Sequence, residues 1–264
     1  IIAAGGTLGI LIPPSVMLVV MGPVVGVPVP DLFAAAILPG ILLASLFAAY
    51  AMVRSFLQPH LGPPLPEDER ATSYVYMIRE FALGLVPPAV LVLASLGSIL
   101  SGLATPTEGA AMGAFGAFIL TVVYGRFKWR NLLSAVLQTL EVSTLILFLC
   151  AASNFFGAVF SRLGTPMMIT KAIIGLQLPP LAILIMIMTL IFLLAWPLEW
   201  VPIVLIIIPI LLPAVREMGV NLVWFCTLVA VNLQTAWLSP PVALSAYFLK
   251  GVVPQWDLKD IYLG

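Results

Sequence analysis

Two prolines in the middle of an apolar run constrain this chain more than any other feature. The run extends from Ile1 to about Val20 and contains Gly5-Gly6-Thr7-Leu8-Gly9-Ile10-Leu11-Ile12-Pro13-Pro14-Ser15. Without its glycines, threonine, prolines and serine it would read as an unbroken membrane helix. Pro13 and Pro14 remove two backbone donors and restrict the residue before each. Gly5, Gly6 and Gly9 permit backbone geometries that other residues avoid. A carbonyl freed inside lipid has no water to turn to. A broken helix at that depth is tolerated where it lines a site, and its free carbonyls can then hold Na⁺ or H⁺. Taken alone, the stretch also reads as a kinked helix packed on its neighbours, with Ser and Thr filling the gap.

A second stretch repeats the plan. Asn232-Leu233-Gln234-Thr235-Ala236-Trp237-Leu238-Ser239-Pro240-Pro241-Val242 again sets polar and small residues before a Pro-Pro pair, followed by an apolar run to Gly251. In the first copy that run ends at Gly22. Interrupted helices in corresponding parts of two halves point to a transporter's binding site.

Composition sets the solvent. Of 264 residues, 62% are hydrophobic and only 8% charged, which places the chain in a bilayer. The formal net charge is zero, so a basic nucleic-acid footprint is absent. Cys150 and Cys226 both lie in apolar runs and read as small core hydrophobes rather than a disulfide or metal site. His60 is the only histidine and cannot supply paired axial ligands of a membrane cytochrome. The sequence starts Ile1-Ile2-Ala3, without Met or a signal-peptide n-region, and enters directly into a broken helix. It reads as the C-terminal part of a longer protein, or as a partial sequence.

The expected architecture is an all-α polytopic membrane protein. Residues 1–30 form the first discontinuous helix. Residues 31–130 hold further spans, with an interfacial segment at 54–80 where Glu67-Asp68-Glu69-Arg70 starts a surface helix and Tyr74, Tyr76 and Met77 suit the membrane interface. A span from Phe81 to Leu103 follows. Thr105-Pro106-Thr107-Glu108 has capping-box spacing and opens the next crossing, Gly109 to Tyr124. Residues 131–264 contain a long helix from Leu132 to about Phe160 and a short amphipathic piece. Next comes a re-entrant hairpin over about 180–213, because neither arm, Pro180 to Trp196 or Val201 to Leu212, reaches a comfortable span of ~20 residues. Its tip is Trp196-Pro197-Leu198-Glu199-Trp200-Val201-Pro202. The second discontinuous helix covers 221–251.

Lys and Arg divide unevenly between the two sides these spans define. One side receives Arg54, Arg70, Arg79, Arg126, Lys128, Arg130, Lys250 and Lys259, the other Arg162, Lys171 and Arg216. The first side, with 54–80, 126–130 and the C-terminus, is therefore expected to be cytoplasmic. Acids near or inside apolar segments are Glu108, Glu141 and Glu199. An intramembrane carboxylate is costly and by default a functional hypothesis. Glu108 is also explained as a helix cap and Glu141 as a solvated interfacial acid, while Glu199 stands at the hairpin tip between two tryptophans. A hard cation such as Na⁺ takes oxygen ligands, which Thr7, Ser15, Asn232, Thr235 and Ser239 offer beside the proline-freed carbonyls. Helix N-termini at the breaks favour an anionic substrate. No Ser-His-Asp set, metal-spaced His/Cys cluster or Walker-type phosphate loop occurs, so the chain reads as a non-enzyme driven by an ion gradient.

Gly6–Ser15, Ala104-Thr-Pro-Thr-Glu-Gly-Ala-Ala111 and Asn232–Val242 together resemble the large membrane subunit of tripartite ATP-independent periplasmic (TRAP) transporters. The likeness covers essentially the whole chain, and Asn-Leu-Gln-Thr before Pro-Pro is most similar to the branch labelled mannitol/chloroaromatic compound transport. The resemblance implies a Na⁺-coupled elevator transporter of the bacterial inner membrane with inverted repeats, a small four-helix membrane subunit and a periplasmic binding protein that delivers an organic anion. By motif it gives Na⁺ roles to Gly5, Gly6, Thr7, Gly9, Pro13, Ser15, Asn232, Thr235 and Ser239, with Trp196 and Pro197 closing one site. Substrate roles fall to Pro14, Ser15, Gln234, Ser239, Pro240 and Pro241. Thr105, Thr107, Glu108 and Glu199 are carried as structural or further ion-site residues. Two departures stand out. The family's Ser/Gly/Ala-rich first hairpin is not within this sequence, so its first Na⁺ site is incomplete here. At the second hairpin tip Glu199 takes the place of an Asp. A stand-alone ion-coupled elevator carrier and a non-catalytic membrane subunit of a redox enzyme complex are the alternatives.

Overall fold

Helix follows helix through the described residues, because a backbone immersed in lipid must satisfy its own polar groups. The protein is seen here as a computed structural model, which describes residues 2–62, 66 and 73–263. The expected surface helix at Glu67–Arg70 lies outside the described residues. Among those described there is no strand.

The helices are α1 (Ile2–Leu11), α2 (Val16–Val25), α3 (Val29–Leu57), α4 (Tyr74–Leu100), α5 (Pro106–Val123), α6 (Trp129–Arg162), α7 (Thr165–Ile174), α8 (Pro180–Leu194), α9 (Trp200–Glu217), α10 (Leu222–Leu238), α11 (Leu244–Val252) and α12 (Leu258–Leu263). Among the described residues six segments are long and apolar enough to cross a membrane: α1 with α2, then α3, α4, α5, α6 and α9. The chain divides into two units, one of Ile1–Ala44 with Thr139–Gly264, the other of Ser45–Gln138.

In the second unit α4 and α5 pack as a helical hairpin. Small residues set their separation: a Cβ on Gly109 would lie 2.6 Å from Ile99, and one on Gly116 2.2 Å from Leu91. Ser95 Oγ donates to the Gly109 carbonyl at 2.6 Å. The Tyr124 hydroxyl donates to the Leu83 carbonyl at 2.8 Å, replacing the helical donor that Pro87 lacks. The capping box forms as its spacing predicts. The Glu108 N–H donates to Thr105 Oγ1 at 3.3 Å, and the Thr105 N–H donates to Glu108 Oε2 at 2.8 Å.

In the first unit the core gathers Leu11, Met17, Leu18 and Met21 from the first broken helix, Ile187 and Ile191 from α8, Ile203 and Ile208 from α9, and Phe225 and Leu233 from α10. Gly26 ends α2 in the left-handed region, φ 82°. The Val25 carbonyl at that end accepts from Arg216 Nη2 at 2.9 Å, which ties α2 to the end of α9.

Three expectations change. Residues 74–80 are not a separate interfacial helix but the first turns of α4; Arg79 and Glu80 are good helix formers and nothing between Tyr74 and Phe81 interrupts propagation. The second hairpin arm does not stop at Leu212 but runs to Glu217, so α9 is itself long enough to cross. It contains a wide π turn over Ile203–Ile207, in which the Ile208 N–H reaches back five residues to the Ile203 carbonyl. Gly5, Gly6 and Gly9 need no unusual backbone, since all three sit in α1 and none has a positive φ. Nothing lies within 4 Å of where their Cβ atoms would stand, so they present bare backbone on an open face of α1.

Candidate functional site

The first break spans Ile12–Ser15. The α1 ladder ends with the Ile12 N–H on the Leu8 carbonyl at 2.7 Å. Pro13 and Pro14 follow, joined by a cis bond. Ser15 then caps α2: it has extended φ and ψ, and its Oγ accepts from the Leu18 N–H at 3.3 Å. The same hydroxyl donates backwards to the Ile10 carbonyl. Ser15 is 2% exposed and Thr7 is fully buried, with Thr7 Oγ1 donating to the Ala4 carbonyl at 2.8 Å. Pro13 is buried and Pro14 exposed.

The second break spans Ser239–Ala243. Here the ladder ends with the Ser239 N–H on the Thr235 carbonyl at 2.9 Å, before Pro240 and Pro241, again joined by a cis bond. Ala243 adopts φ 31°, and its N–H returns to the Ser239 carbonyl at 3.0 Å. Ser245, in the first turn of α11, donates its hydroxyl to the Trp237 carbonyl at 2.6 Å. Thr235 Oγ1 donates to the Asn232 carbonyl at 2.7 Å. Asn232 turns toward α8, where its Nδ2 donates to the Met188 carbonyl at 2.7 Å, and it lines a largely apolar cavity of about 500 Å³ between α8 and α10. Gln234 Nε2 donates to the Ala230 carbonyl at 3.1 Å, whereas its Oε1 is buried with no partner among the described residues. Trp237 Nε1, three residues on, is likewise buried without one.

The fold brings the two breaks together. α1 packs against both arms of the second broken helix, α10 and α11, and α2 packs against α10 and α9. The residues singled out at 5–15 and 232–241 thus share one region of the first unit. At the expected hairpin tip Trp196 is exposed and meets the Phe192 ring edge-on at 5.8 Å, while Trp200 is buried. Pro197 is exposed, and Glu199 is partly buried at the N-terminus of α9 without a capping hydrogen bond. Glu141 is exposed on α6. Thr105, Thr107 and Glu108 belong to the other unit; Thr107 is exposed, and the Glu108 carboxylate is occupied by the backbone and hydroxyl of Thr105, the latter at 2.9 Å. Ser245 escaped the sequence reading. Counting the donors that Pro240 and Pro241 withhold, and then searching downstream for a hydroxyl, would have found it.

An all-α, multi-pass membrane protein built on two proline-broken helices packed against each other has the architecture expected of a transporter's core. Residues 1–262 match the family described as the tripartite ATP-independent periplasmic transporter, DctM component, and the chain belongs to that family. It is 30% identical over 253 residues to the isethionate TRAP transporter permease of Oleidesulfovibrio alaskensis, an alignment covering 96% of this chain and 39% of that protein. It is 30% identical over 269 residues to the C4-dicarboxylate TRAP transporter large permease of Rhodobacter capsulatus, covering 96% and 59%. Against the 2,3-diketo-L-gulonate large permease of Escherichia coli the identity is 28% over 258 residues, covering 96% and 58%. The chain therefore spans at most about three-fifths of the length of these relatives.

Proposed function

We propose that this chain forms part of a Na⁺-coupled carrier that takes up an organic acid across the bacterial inner membrane. A periplasmic binding protein delivers the acid, and a small four-helix membrane subunit accompanies the large one. The observation that carries the reading is the packing of the two broken helices on each other, each with carbonyls whose helical donors are prolines. Such oxygens suit a hard monovalent cation. The relatives' names support an anionic substrate, since isethionate, a C4-dicarboxylate and 2,3-diketo-L-gulonate are all organic anions. The unit holding the breaks is the moving part of an elevator. Thr7, Ser15, Thr235, Ser239 and the hairpin tip at Trp196–Glu199 frame the ion sites, and the Pro-Pro corners with Gln234 face the substrate. Asn232 serves less directly, through its bond to α8.

The test is uptake by proteoliposomes holding the full-length protein with its small subunit. A panel of carboxylates and sulfonates is supplied with the cognate binding protein, with and without an inward Na⁺ gradient. Uptake that needs both gradient and binding protein is the expected result. Uptake with Na⁺ alone would make the protein a stand-alone carrier. Absence of uptake in a folded preparation, together with a bound quinone or redox partner, would return it to the enzyme-subunit class.

A further inference from the structure

In an α-helix the carbonyl of residue i accepts from the N–H of residue i+4, and proline has none to give. The two Pro-Pro pairs therefore strip four carbonyls of their donors: Gly9 by Pro13, Ile10 by Pro14, Ala236 by Pro240, and Trp237 by Pro241. In both breaks the ladder is intact up to the residue just before the stripped pair, with Leu8 bonded by Ile12 and Thr235 bonded by Ser239. In both breaks a serine hydroxyl then takes the carbonyl freed by the second proline. Ser15 takes Ile10 and Ser245 takes Trp237. The serines occupy different positions, two residues after Pro13 and five after Pro240, yet reach the equivalent oxygen. Among the described residues no hydrogen bond replaces the donor lost by Gly9 or by Ala236. Ala236 is 1% exposed, so its carbonyl is a buried acceptor left open. Such a group is costly unless something fills it.

We propose that Ser15 and Ser245 are a matched pair of positioning residues, which occupy the second freed carbonyl of each break and leave the first, on Gly9 and Ala236, as the backbone oxygen offered to the coupling cation. The role of the hydroxyls is selective. Without Ser245 the Trp237 and Ala236 carbonyls are both unfilled, the corner is held only by the Ala243 N–H, and neither oxygen keeps a fixed direction. The inference rests on the Na⁺-coupled reading above, and the assay separates the two.

The experiment uses the full-length protein with its small subunit and binding protein, in two readouts. One is the Na⁺ concentration giving half-maximal uptake; the other is the shift in melting temperature of the purified protein as NaCl replaces choline chloride. Ser245→Ala and Ser15→Ala are each expected to raise half-saturating Na⁺ three- to tenfold and to shrink the Na⁺-dependent melting shift. For Ser245→Ala, the substrate KM at saturating Na⁺ should stay within twofold of the parent. Ser245→Thr, which keeps the hydroxyl, should restore the parent's Na⁺ dependence. A Ser245→Ala protein that elutes as the parent does and keeps its half-saturating Na⁺ overturns the proposal. Equal impairment by Ala and Thr overturns it too, since that is a packing effect. If Ser245→Ala cannot be purified, Ser245→Cys, similar in size with a weaker donor, must show an intermediate shift, and none would count against the idea. A parent whose uptake and melting ignore Na⁺ defeats the functional reading and this inference together. A Na⁺-dependent parent with unshifted variants defeats this inference alone.

Discussion

Replacing Gly109 by alanine should pry α4 and α5 apart. The new Cβ would stand 2.6 Å from both Cδ1 and Cγ1 of Ile99 and 3.3 Å from the Ser95 carbonyl oxygen. Carbon pairs settle at about 3.5–4.0 Å, so the helices must separate by roughly 1 Å. Ile99 is 3% exposed and has little room to swing away. The same separation stretches the 2.6 Å bond from Ser95 Oγ to the Gly109 carbonyl to about 3.6 Å, beyond hydrogen-bond range. Overpacking costs about 1–3 kcal/mol, and an interhelical bond in a membrane protein is worth about 0.6 kcal/mol. Better helix propensity returns up to about 1 kcal/mol. The net expectation is a loss of ~1–3 kcal/mol. Gly113→Ala is the internal control, because its Cβ would meet Ser95 Oγ at an ordinary 3.4 Å and should leave stability equal or higher. SDS titration in mixed micelles, followed by far-UV circular dichroism, reads both. Should Gly109→Ala unfold at the same SDS fraction as Gly113→Ala, the close-packing account of this hairpin is wrong.

Three further outcomes are expected. Gly40→Ala places a Cβ 2.7 Å from Ile12 Cγ1, beside Pro13, and should cut uptake about tenfold or more in a folded protein; adding Ile12→Ala should recover it, and no recovery would count against a displaced break. Gln177 is exposed at φ 53°, so Gln177→Gly should raise stability by about 1 kcal/mol in thermal melts. Thr105→Ala should cost about 1 kcal/mol as a lost helix cap, whereas Glu108→Gln, whose amide oxygen can still accept from the Thr105 N–H, should leave uptake unchanged; loss of uptake would point to Glu108 as an ion ligand.

Local chemistry made most of the helices legible in advance. The two breaks, the Thr105–Glu108 box and the small faces of α4 and α5 each follow from residues within a few positions of one another. What stayed hidden depends on partners far along the chain or on small differences between competing local states. Arg216 holds the Val25 carbonyl across 191 residues, and Asn232 reaches Met188 across 44. No spacing rule reaches that far. Pro87 and Pro88 look like Pro13 and Pro14 in sequence, yet α4 continues through them, with the Tyr124 hydroxyl filling the Leu83 carbonyl. The glycines of α1 read as backbone licence and act instead as a surface without side chains.

The wide turn at Ile203–Ile207 gives α9 one residue more than an ordinary helix of the same length would hold. Each residue of an α-helix advances the facing direction by about 100°. Deleting one residue from the middle of α3 or α5 would therefore turn every later side chain onto a different face. Deleting one from 203–207 would only tighten the wide turn to a normal one, leaving Leu211 and Val215 still directed at the core they now fill. Sequences that differ in length by one residue at this point can therefore share the same core packing, and a single-residue gap in an alignment belongs here before anywhere else in α9.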